Sequence, residues 1–153
     1  MFGKTVAQYL RFQRVILALI VLAWLVRLTL SLTGVPNASA KWISVTAILL
    51  VGVLYYGVAV YRKGFGSYKQ LYPLMLFQSV VGEGLVALAI ALAILTSRDN
   101  IYTAPEYSGG GDGKTWLHVG AHLFLGILVL PLVSWAVGSL IMLVTLKVAP
   151  RTA

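Results

Sequence analysis

The sequence predicts an all-α polytopic membrane protein, a four-transmembrane-helix bundle preceded by a short N-terminal interfacial helix. Three observations carry this reading. The 153 residues are 59% apolar and only 10% charged, with mean hydropathy +0.90, whereas a soluble domain carries roughly 25% charged residues. The apolar residues gather into four runs of about 20, the length a membrane-crossing helix needs. The bases stand at the ends of those runs, where they meet lipid phosphates and water. Four such spans use roughly 80 to 90 residues, so loops and tails are short and no soluble catalytic domain fits.

Residues 1–14 place Phe2, Val6, Tyr9 and Leu10 at helical spacing, with the basic residues Lys4, Arg11 and Arg14 among and after them, the pattern of a helix lying in the membrane interface. The first span covers about 15–33, carries Arg27, and stops at the breaker Gly34-Val35-Pro36-Asn37. The basic stretch ending at Arg14, the apolar run and Ala38-Ser39-Ala40 together resemble a signal peptide, but Arg27 interrupts the core that a signal peptide needs. The second span covers 42–61 and the third 73–95, joined by the basic loop 62–69. A polar, glycine-rich outer loop, 97–115, is read as a flexible flap over the bundle. The fourth span, 116–146, is long enough to tilt, and Pro131 near its middle predicts a kink. In hydrocarbon each run must satisfy its own backbone, which selects helices. No internal repeat relates the two halves.

Lys4, Arg11, Arg14, Arg62, Lys63, Lys69, Lys147 and Arg151 fall on one side, and Lys41, Arg98 and Lys114 on the other. This bias predicts cytoplasmic termini in the inner (cell) membrane. The same clustering at span ends assigns the net charge of +8 to a lipid surface instead of nucleic acid. The chain has no cysteine, which removes disulfides, thiolate metal sites and catalytic thiols.

Ionisable groups inside a span are expensive and therefore functional candidates. Counting 1.5 Å per residue puts Arg27 roughly 18 Å and Glu83 roughly 15 Å from the inner edge, and His122 roughly 9 Å below the outer one. These depths overlap within the reach of an arginine, predicting a polar cluster. Gln78, Ser79, Gly82 and Glu83 form one narrow stripe on the third span. Arg27 and Glu83 read either as an ion pair fixing helix register or as a gate or proton-coupled site.

His118 and His122, one turn apart, are the nearest thing to a metal signature. With Glu83 they offer ligands for a divalent metal, but no glutamate sits beside the first histidine as in zinc proteases. Gly113-Lys114-Thr115 lacks the upstream glycine of a phosphate loop, since position 108 is Ser. No nucleophile elbow occurs. Three functions follow as expectations. The first is a small transport or channel-type protein, or accessory subunit, using Glu83, Arg27 and Gln78 as an ion or proton site. The second is a metal-binding or redox component built on His118, His122 and Glu83. The third is a structural subunit. Because four helices enclose little lumen, a homo-oligomer or a larger membrane complex is expected.

Overall fold

The computed structural model describes residues 1–148, so Arg151, counted among the bases above, lies outside the described residues. The helices are Val6–Leu32 (α1), the single turn Asn37–Ala40 (α2), Val45–Arg62 (α3), Tyr68–Thr96 (α4), Trp116–Ala121 (α5) and Leu130–Val148 (α6). A π-helical segment, His122–Val129, joins α5 to α6, and a 3-10 turn covers Pro105–Tyr107. Among the described residues there is no strand. Four stretches, Val6–Leu32, Asn37–Arg62, Tyr68–Thr96 and Trp116–Val148, are long and apolar enough to cross a membrane.

The separate interfacial helix is not there. α1 starts at Val6 and runs unbroken through Arg14, because a capping box opens it: the Gln8 N–H donates to Thr5 Oγ1 at 3.2 Å and the Thr5 N–H to Gln8 Oε1 at 2.7 Å. Helical propensity then carries straight into the apolar run, with no breaker between. At 27 residues α1 is about 40 Å long, longer than the roughly 30 Å hydrocarbon core. α4 likewise begins at Tyr68, ahead of Pro73, because a cap opens it there: the Ser67 N–H donates to Gln70 Oε1 at 2.8 Å, and the helix carries through Pro73 at the loss of one backbone bond.

The four long helices alternate in direction, leaving both described ends of the chain at one end of the bundle, here the terminus end. α4 is the central helix, packing on α1, α3, the π segment and α6; among the described residues α1 and α6 make no close approach. Small residues set the tight crossing of α3 and α6: a Cβ on Gly57 would stand 2.9 Å from the Gly138 carbonyl oxygen. At the terminus end Phe12 stacks on Phe65 with centroids 3.9 Å apart, and Tyr9 meets Phe65 and Phe77. The burial pattern inverts that of a water-soluble bundle. Leu95, Leu117 and Leu140 are 72%, 84% and 65% exposed, while Gln13, Gln78, Ser79 and Thr145 are buried.

Pro131 acts upstream of itself. Its ring crowds the carbonyl four residues earlier and it offers no N–H. The helix widens over His122–Val129, where the Leu130 N–H reaches back to the Leu125 carbonyl. Such π turns are frequent at functional sites.

Candidate functional site

Three predicted residues meet between α4 and the fourth span. Glu83 projects from the middle of α4, and its Oε2 lies 2.6 Å from His122 Nδ1. His122 Nε2 lies 3.2 Å from His118 Nε2, and His118 Nδ1 lies 2.8 Å from the Gly113 carbonyl oxygen. The result is a hydrogen-bonded chain running from Glu83 to the loop before α5. Thr115 caps α5 by accepting the His118 N–H, which fixes where His118 leaves the helix. Gly126, on the next turn of the π segment, makes the room: a Cβ there would stand 2.6 Å from Glu83 Cγ and 2.8 Å from Oε2.

The polarity of this chain follows from its ends. A carbonyl only accepts, so His118 Nδ1 carries a proton. One proton lies between the two Nε2 atoms and one between His122 and Glu83. Two neutral imidazoles bring two protons to three bridges. The trio is therefore complete with one extra proton, and with it the carboxylate and two rings are neutral together. Glu83 is 12% and His122 26% exposed at the side chain, so that neutrality avoids leaving a charge unpaired in a poorly hydrated position.

Arg27 and Glu83 do not form the expected ion pair; among the described residues Glu83 pairs with His122. Arg27 instead lies 5.0 Å from the ring centroid of Tyr102 and 5.6 Å from that of Tyr107. Aromatic faces supplied by the loop take the place of a carboxylate. Arg27 is nonetheless near the relay. It lines a cavity of about 400 Å³ together with Glu83, His122, Lys41, Ser44 and Tyr102, and its Nε is buried without a hydrogen-bond partner. Gln78 lies elsewhere. It is buried against Gly52 and lines a separate hollow of about 50 Å³ with Thr46, Ser79 and Ser134.

The outer loop is only partly the flap expected. Residues 100–104 are buried, held by the Ile101 N–H donating to Ser31 Oγ at 2.8 Å and Asn100 Nδ2 donating to the Ala89 carbonyl at 2.9 Å. This plug ties α1 to α4 and delivers Tyr102 to Arg27. Burial pushes the Tyr102 phenol up to about 12 against the opposing pull of the Arg27 cation. The rest of the loop is more open: residues 97–99, 105–107 and the glycine-rich 109–112 are exposed. Asp99 pairs with Lys114 at 2.7 Å. Sequence reasoning missed Gly113, Gly126, Lys41 and Tyr102 as site residues. The Ile-Tyr pair at 101–102 inside a polar stretch was the one signal that the loop folds back.

The chain matches no known protein family, no curated protein and no solved structure, so the geometry of its own residues carries the functional reading.

Proposed function

We propose that the chain is an integral membrane protein of the transport class, with both termini on the cytoplasmic side of the inner membrane. Its working part is the Glu83–His122–His118 relay, which binds one proton and passes it between Glu83 and His118 through the two ring nitrogens of His122, while the Gly113 carbonyl orients His118. The observation that carries this is the unbroken hydrogen-bond chain ending on a backbone acceptor, since imidazoles passing a proton through both ring nitrogens are the usual shuttle. The neighbouring cavity has Arg27 and Lys41 on its wall, while its carboxylate is committed to His122. It therefore attracts an anion, and the solute we assign is a small anion moved with the proton. The fourth span is the least covered, with 17% of its apolar window buried against 28–44% for the others. That face offers the contact for a second copy or for a larger complex.

Reconstituted in liposomes under a pH gradient, the protein is expected to move protons, and Glu83→Gln to slow that flux at least tenfold. Unchanged flux removes Glu83 from the role.

One observation favours a metal-binding second reading. Two nitrogens held roughly 2.0–2.1 Å from one tetrahedral zinc stand about 3.4 Å apart, close to the 3.2 Å between the Nε2 atoms. Each ring is also backed through Nδ1 by an oxygen acceptor, as metal-bound imidazoles are. It ranks second because, among the described residues, no third histidine, aspartate or glutamate joins them as a ligand. Metal analysis of the purified protein and of His118→Ala separates the readings: stoichiometric zinc lost in the variant favours the metal.

A further inference from the structure

At the terminus end, away from the relay, a cavity of about 800 Å³ opens between α1 and α3. Its walls are graded. Lys4, Arg11 and Lys63 stand toward the end nearest the termini, Arg14, Tyr55 and Tyr56 midway, and Val15, Ile16 and Val51 deeper. Val51 lies twelve residues before Lys63 on one helix, about 18 Å deeper. A second hollow of about 640 Å³ shares Val51, Tyr55 and Lys63 and continues over Leu54, Val58 and Ala59. The two hollows thus flank one ridge of α3, with Lys63 at the top of both. Lys63 is held there by donating to the Tyr55 hydroxyl at 2.7 Å. The first acid in the chain is Glu83, so no carboxylate from residues 1–82 neutralises these bases.

We propose that this double hollow is a binding site for an anionic diacyl phospholipid. The phosphate sits among Lys63, Arg11 and Lys4, and one acyl chain descends on each side of the Val51–Tyr55 ridge. Charge at the mouth fits the phosphate, apolar walls at depth fit the chains, and two grooves under one cation fit a two-chain lipid. A free phosphate uses only the mouth. The inference rests on membrane insertion but not on the relay, and Glu83→Gln leaves it intact.

The full chain in detergent is titrated with phosphatidylglycerol, with phosphatidylcholine of the same acyl chains, and with glycerol phosphate. Bound lipid is read by native mass spectrometry and the melting temperature by thermal shift. Phosphatidylglycerol is expected to bind at least tenfold more tightly than phosphatidylcholine, and glycerol phosphate to bind negligibly at equal concentration. Arg11→Gln with Lys63→Gln removes the preference for the anionic lipid, while Lys69→Gln, outside the cavity, preserves it. Val51→Trp, which fills the apolar part, weakens both lipids and keeps the ratio. Equal affinity for the two lipids, or equal loss in Lys69→Gln, overturns the proposal, as does glycerol phosphate binding as tightly as the lipid. If the double variant does not fold, retention of the tenfold preference by folded Val51→Trp with no loss of affinity overturns it as well.

Discussion

Tyr102 shows how a single side chain reports on the loop that holds it. Its phenol ionises near 10 in the unfolded chain and only near 12 when buried beside Arg27. A group with a raised folded pKa contributes its stability in full below the unfolded value and loses it as the pH rises through the folded one. Stability should therefore fall between pH 10 and about 12, by roughly 2 kcal/mol in all. Tyr102→Phe should flatten that slope, as read by thermal denaturation across the alkaline range. A slope unchanged in the variant would place Tyr102 in water. Individual residues were legible unevenly. Glu83, His118 and His122 announced themselves because charge and imidazole are scarce in an apolar span. The partner of Arg27 did not, because cation–π contacts need only an aromatic face, and the chain has many.

The fourth span is where an element and its chemistry are most tightly joined. Pro131 widens the helix, the widened turn begins at His122, and Gly126 on that turn leaves space for Glu83. Gly126→Ala should push the carboxylate off His122 and lower proton flux several-fold with the fold retained. Gly120→Ala, which meets nothing within 4 Å, should leave flux unchanged. Equal activity in the two variants would separate Gly126 from the site. The sequence allowed a kink at Pro131 but not a π turn, since both relieve the same clash and only neighbouring packing chooses between them. α1 was misread for a related reason. Bases within a helix mark where water or phosphate reaches its side, and they do not end it.

Across the whole molecule, the four long apolar helices were readable because length and hydropathy can be counted within each run alone, against the length a bilayer requires. The buried plug at 100–104 was not, because its fold depends on the contact with Ser31, 70 residues away, and on the chain turning back to the Ala89 carbonyl. The proposed orientation is open to a clean test, since the chain has no native cysteine. Cysteines placed at Lys69 and at Gly111, exposed at opposite ends of the bundle, should label from opposite faces of sealed inside-out vesicles, with Lys69→Cys reacting from the cytoplasmic face. Labelling of both from one face would refute the topology.

Whether Glu83, His122 and His118 form one hydrogen-bonded chain is decided by nitrogen-15 NMR of the two histidines in bilayers. The relay predicts His118 with its proton on Nδ1, facing the Gly113 carbonyl, and a single proton held between the two Nε2 atoms, read as a coupling across that bond. It further predicts that Glu83→Gln shifts the signals of both rings, although only His122 touches residue 83. Two rings with no coupling between them, untouched by Glu83→Gln, would contradict it.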